Sequence, residues 1–167
     1  LTNALISSGQ SSIDALLLTH AHLDHCGRIP LLVKQGFRGR IHCTSATREL
    51  ARLVMLDAAS LQEEDARRAA TRARNGEAIE EPLYTIDDAL HALDYFAADS
   101  AYGDTIEVSD GVRARFLDAG HILGSCSVEL WGDGKKLVFS GDIGPKGTPI
   151  LRDPAVITEA DLVLMES

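Results

Sequence analysis

The sequence predicts a mixed α/β domain built from layers of sheet and helix. Three observations carry this. Short apolar runs bounded by turn residues recur near both ends of the chain. Between them lies a long stretch rich in Ala, Leu, Arg and Glu, the composition of a helix. The 167 residues, 45% apolar and 25% charged, have the length and balance of one globular domain with a core of its own. No repeat, low-complexity tract or linker divides them, so residues 1–167 are read as a single domain.

The elements follow in order. Leu1 to Ser12 is Ser-rich and reads as a loop. Ile13 to Leu18 is an apolar run of strand length. Thr19 to Gly27 is polar and dense in histidine. Ile29 to Gln35 suits a helix, with Pro30 tolerated in its first turn and Gly36 as its stop. Arg40 to Cys43 is a second short strand. A long helix is expected from Ala46 to Arg74, ended by Asn75-Gly76. Another is expected from Thr85 to Ala98, opened by a capping-box pattern in Thr85 and Asp88. Strands then follow at Thr105–Val108, Val112–Leu117, Ser127–Trp131 and Lys136–Ser140. Ser109-Asp110-Gly111 and Gly132-Asp133-Gly134 supply the turns between two pairs of them. A last apolar run, Asp161 to Met165, reads as a strand.

The formal net charge of −9 disfavours a general, charge-driven binder of nucleic acid or anionic membrane. It leaves room for a local basic track, or for metal ions that reverse the sign within one cleft. No apolar run is long enough to cross a bilayer, and no signal-peptide pattern opens the chain. Three cysteines, Cys26, Cys43 and Cys126, form no close pairs, which suits a reducing cytoplasm.

The chemistry concentrates in Thr19-His20-Ala21-His22-Leu23-Asp24-His25, directly after the first strand. In extended chain His20 and His22 point the same way, so both can reach one metal. Asp24 and His25 follow as the chain turns and can face a neighbouring site. Imidazole and carboxylate are the ligands of zinc, or of a similar ion such as manganese or iron. The bland alternative is a His-rich surface loop.

Two further segments supply what that loop lacks. His121 sits among small residues in Asp118-Ala119-Gly120-His121-Ile122-Leu123-Gly124-Ser125, and Asp142 sits between glycines in Ser140-Gly141-Asp142-Ile143-Gly144. Alone, His121 reads as an ordinary core or surface histidine and Asp142 as a common turn aspartate. Beside the His20–His25 segment both become ligand candidates, because a hydrolytic metal site draws on several strand ends. His42, within a strand, and His91, on a helix, read as structural or exposed; Cys26 reads as a small buried residue opening a helix. Arg67, Arg68, Arg72 and Arg74 follow Glu63, Glu64 and Asp65 and read as a salt-bridged helix face. Lys34, Arg38 and Arg40 are the better candidates for phosphate contacts.

These motifs resemble those of the metallo-β-lactamase superfamily, and most closely its β-CASP branch of RNA-processing nucleases, which includes the ribonuclease J type and the cleavage-and-polyadenylation endonuclease. Thr19 to His25 is similar to the superfamily's main metal motif. Ala119 to Ser125 and Phe139 to Gly144 are similar to the next two, and Leu164-Met165-Glu166-Ser167 to the start of the motif leading into the β-CASP domain. The resemblance implies an αββα sandwich. It implies two zinc ions, with His20, His22 and His121 on one, Asp24 and His25 on the second, and Asp142 and a hydroxide bridging both. It implies in-line attack on a phosphodiester of single-stranded RNA, leaving a 5′-phosphate and a 3′-hydroxyl. Asp24, Asp142 and Glu166 are its catalytic positions, Glu166 orienting a histidine that protonates the leaving oxygen. Thr19 and Gly27 become supporting and packing positions.

The resemblance further implies that this is a partial sandwich within a longer protein. The Gly-rich hairpin before the metal loop, the β-CASP insertion and the later histidines are not in these 167 residues. Edges and apolar surface that those parts would cover favour self-association. Two other functions stay open: a small-molecule metallohydrolase such as a thioesterase or lactonase, and a non-catalytic subunit.

Overall fold

A computed structural model describes residues 13–72 and 81–166. The expectations for Leu1 to Ser12 and for Arg74 to Gly76, and Ser167 itself, lie outside the described residues.

Two sheets stack face to face. The first is a parallel pair, β1 (Ala15–Leu17) and β2 (Arg40–His42). The second has five strands in sequential order: β3 (Thr105–Ser109), β4 (Val112–Asp118), β5 (Cys126–Gly132), β6 (Lys135–Phe139) and β7 (Leu162–Leu164). Its first four strands are antiparallel neighbours, joined by two-residue turns except for the β4–β5 loop, residues 119–125, while β7 lies parallel to β6. The β6–β7 crossover, residues 140–161, carries no helix.

The alternation of side chains along β1 sorts the core into layers. Leu16 and Leu18 pack against the helices α1 (Leu23–Cys26), α2 (Ile29–Lys34), α3 (Ser45–Arg72) and α4 (Ile86–Leu93), in a cluster that includes Phe37, Ile41, Met55, Tyr84 and Phe96. Leu17 points the other way, into a smaller cluster built on Ala114, Phe116, Cys126 and Val128 of the second sheet. The layers therefore run helices, sheet, sheet: three of the four layers of the expected αββα sandwich, with every helix among the described residues on one side. None of those helices is long and apolar enough to cross a membrane. The last strand, β7, is exposed along its whole length.

Two details differ from the sequence reading. The His-dense segment contains a one-turn helix, α1, which is too short to leave a periodic signal. The helix expected to reach Ala98 stops at Leu93. Ile41 N–H donates to Tyr95 O and Ala97 N–H donates to Ile41 O, so the chain runs beside β2 as a short bridge instead of completing another turn. The capping box of α4 is formed: Thr85 Oγ1 accepts from Asp88 N–H, and Asp88 Oδ2 accepts from Thr85 N–H.

Candidate metal centre

Each candidate ligand stands at or just beyond the end of a strand. β1 ends at Leu17, and Thr19 O accepts from Cys126 N–H at 2.9 Å, which ties this end to the start of β5. His20 follows, fully buried. Its Nδ1 lies 3.2 Å from Thr19 Oγ1; in the tautomer that donates this bond, the Nε2 lone pair faces the site. His22 is the N-cap of α1, yet its ring makes no capping bond and is free to turn inward. Asp24 and His25 lie on that single turn. His121 comes from the β4–β5 loop, Asp142 from the turn after β6, and Glu166 follows β7, its N–H donating to Ser140 Oγ at 3.1 Å.

Three imidazole nitrogens converge. His22 Nδ1 lies 3.0 Å from His20 Nε2 and 3.1 Å from His121 Nε2. Asp142 Oδ2 is 3.7 Å from His20 Nε2 and 3.4 Å from His121 Nε2. The other oxygen, Oδ1, faces His25 Nε2 at 3.5 Å. Around His25 lie Glu166 Oε2 at 3.6 Å and Asp24 Oδ2 at 3.7 Å. Ligand atoms of His20, His22, His121 and Asp142 form one compact group, and those of His25, Asp142 and Glu166 a second. Asp24 sits at the rim, three-quarters exposed. Glu166, expected only to orient another residue, is within ligand distance; its place directly after the last strand was the available signal.

This donor set fits metal ions. A ring nitrogen has one proton or one lone pair, so His22 Nδ1 cannot satisfy two imidazoles by hydrogen bonding. Ligand atoms of a tetrahedral zinc with bonds of ~2.1 Å lie about 3.4 Å apart, close to the separations here. Asp142 Oδ1 is buried with no hydrogen-bond partner. Burial, reinforced by the neighbouring His25, pushes His20 down to about 4, so it is neutral, the form that ligates. Hydrogen bonding between Asp142 and Glu166 holds Asp142 below the usual carboxylate range and raises Glu166. An open cleft of about 410 Å3 fronts the cluster between His121 and Asp142 on one side and Met165 and Glu166 on the other.

The remaining candidates lie elsewhere. His42 is on β2, its pKa lowered by burial, and His91 is exposed beside Asp94. Cys26 is buried, donates to Ala21 O, is pushed up to about 11 by burial, and belongs to neither ligand group. The three cations favoured for phosphate are all engaged within the chain. Lys34 pairs with Asp88 at 2.8 Å, Arg38 donates to Val33 O and Phe37 O, and Arg40 donates to Asp94 O. Arg68 pairs with Glu64 one turn away, as on a solvated helix face.

Comparison with known proteins shows what the chain is similar to. Ribonuclease TTHA0252 of Thermus thermophilus is 36% identical over 92% of this chain, which spans 31% of that protein. The RNase J-like protein of Methanocaldococcus jannaschii is 32% identical over 93% of the chain, spanning 32% of it. The transcription termination factor FttA of Methanosarcina mazei is 34% identical over 87% of the chain, spanning 21% of it. The chain thus covers a third or less of the length of these relatives. A match to the family described as the metallo-beta-lactamase superfamily runs over residues 3–164. With strand-end histidines gathered about one aspartate and a family match along almost all its length, the chain belongs to the metallo-beta-lactamase superfamily.

Proposed function

We propose that this chain is the metal-binding part of a β-CASP-type ribonuclease that hydrolyses single-stranded RNA with two zinc ions, or manganese or iron in their place. The observation that carries the reading is Asp142, whose two oxygens face two adjacent ligand sets, one with the three histidines and one with His25. Relatives named as ribonucleases support it. Those proteins are about three times as long, so the activity proposed is that of a whole protein of which these residues are a part.

His20, His22 and His121 with Asp142 would hold one ion, and Asp24 and His25 with Asp142 the other, Glu166 lying within reach. Such a pair lowers the pKa of water towards 7 and neutralises charge developing on phosphodiester oxygens. The chain's own residues prepare the site. The Thr19 hydroxyl orients His20, and burial keeps that ring unprotonated. Hydrogen bonding between them favours the ionised form of Asp142 and the protonated form of Glu166, which stands at the mouth of the cleft, placed to orient a proton donor. Ions rather than lysines or arginines would offset the phosphate charge, which reconciles an RNA substrate with a chain of net charge −9. Cys26, Cys43 and Cys126, all free and buried, suit the cytoplasm, and the exposed apolar strand β7 suits self-association.

The test uses the full-length protein, loaded with zinc or stripped by chelation, on a labelled single-stranded oligoribonucleotide and on a thioester and lactone panel. Metal-dependent cleavage leaving 5′-phosphates is expected. Turnover of the small molecules alone would put a small-molecule hydrolase in its place. No turnover, with less than one ion bound per chain, would favour a non-catalytic subunit.

A further inference from the structure

The β4–β5 loop that carries His121 belongs to the second sheet, whereas His20 and His22 extend from the first. Most hydrogen bonds of the loop are internal. Gly120 N–H donates to Asp118 Oδ1, and the N–H groups of His121 and Ile122 both donate to Ser125 Oγ. These bonds shape the loop without joining its tip to the first sheet. Packing adds Ile122, which lies partly buried against the helix-side core. Leu123 is exposed, and Ile122 to Gly124 border a cavity of about 460 Å3, shared with Ser45, Tyr102 and Arg152, that none of the proposed ligands lines.

The foot of the loop is tied to the first sheet by Cys126 N–H, which donates to Thr19 O; its tip is tied by one further contact. Thr44, just before α3, and Thr47, in its first turn, are both buried, and each donates its hydroxyl proton to Gly124 O at 2.8 Å. Thr44 Oγ1 also accepts from Thr47 N–H at 3.3 Å, which holds the two hydroxyls side by side. Gly124 has φ +83°, and a Cβ there would fall 2.5 Å from Thr47 N, so the carbonyl reaches the pair only from a glycine. A carbonyl has two lone pairs, and here both are filled from one helix start.

We infer that Thr44 and Thr47 are positioning residues for His121, a two-hydroxyl clamp that sets the distance between the His121 loop and the His20–His22 loop. The inference rests on the reading of His121 as a metal ligand. Thr47→Val keeps the branched shape and removes one arm of the clamp.

The experiment measures zinc affinity of the full-length protein by competition with a chromogenic chelator, alongside urea unfolding of the metal-free form. Thr47→Val is expected to weaken zinc binding about 10- to 100-fold, the range for groups that orient ligands. Thr47→Ser is expected to restore it. Thr85→Ala, which removes the distant α4 cap, is expected to lower stability and leave zinc affinity unchanged. In a His121→Ala background, Thr47→Val is expected to have no further effect, because the residue it positions is gone. Wild-type affinity in Thr47→Val, or an equal loss in both backgrounds, would overturn the clamp. If His121→Ala itself binds zinc as tightly as the parent, the ligand reading fails instead. Should Thr47→Val not fold, Thr44→Val carries the same expectations.

Discussion

Glu129 lies directly opposite Arg115 across the β4–β5 pair, 2% exposed, and accepts from Arg115 Nε at 2.6 Å. Lys136 on β6 bonds its other oxygen, and both cations approach the ring of Trp131. The carboxylate is buried, whereas the two cations keep access to water. Removing one side therefore differs from removing the other. Arg115→Met with Lys136→Met strands a buried charge and is expected to cost about 3–5 kcal/mol; Glu129→Met releases the cations to solvent and is expected to cost about 1 kcal/mol or less. Urea unfolding of the metal-free protein measures both, and equal losses would refute the asymmetry.

Asp142→Asn is expected to lower both ions together, because one side chain faces both ligand sets. Bound metal per chain after dialysis should fall below one, and RNA cleavage by the full-length protein should fall to background. His42→Ala should change neither. Equal effects from the two substitutions would remove Asp142 from the centre of the site.

Acid should destabilise the metal-free protein through His20. Its pKa is 6.5 when unperturbed and about 4 in the fold. Between those values the unfolded chain binds a proton that the folded chain does not, so stability is fully present above pH 6.5 and is lost as pH falls towards 4. The full loss is about 3.5 kcal/mol, taking ~1.4 kcal/mol per pKa unit. Urea midpoints at pH 7.5 and pH 4.5 give the difference, and His20→Gln should shrink it. A difference unchanged by that substitution would assign the acid sensitivity to other groups.

Gly144→Ala should disturb the fold and the metal together. A Cβ at Gly144 would lie 1.8 Å from Gly120 O and 2.7 Å from His121 N, where Gly144 N–H now donates to Ala119 O. The backbones of the His121 and Asp142 loops touch here, so an added methyl separates them. A loss of about 3 kcal/mol is expected, the upper end for overpacking, with weaker zinc binding. Unchanged zinc affinity in a folded variant would show that the two loops tolerate separation.

What the sequence disclosed depends on how local each feature is. His20, His22, Asp24 and His25 were legible because they crowd one short stretch after a strand-length run. His121 and Asp142 carried meaning only beside that stretch, since each alone is an ordinary loop residue. The strands of the second sheet were legible from alternation and from their glycine turns. The end of α4 was not: Tyr95 and Phe96 continue an apolar helical pattern, and only pairing with Ile41 turns the chain aside. The pairing of Lys34 was not legible for a similar reason, because its partner Asp88 lies 54 positions away. The Thr44–Thr47 clamp on Gly124 closes over 80 and 77 positions and leaves no local pattern.

His22 and His121 are 99 positions apart and follow strands of different sheets, yet their ring nitrogens nearly touch. An ion held there is a removable cross-link between the two halves of the sandwich, closing a long loop much as a covalent bridge would. Loading and folding then become linked equilibria, and the melting temperature becomes a gauge of free metal, rising with each tenfold increase in its concentration. A cell that starves this protein of metal would lose the fold's mechanical lock along with its chemistry.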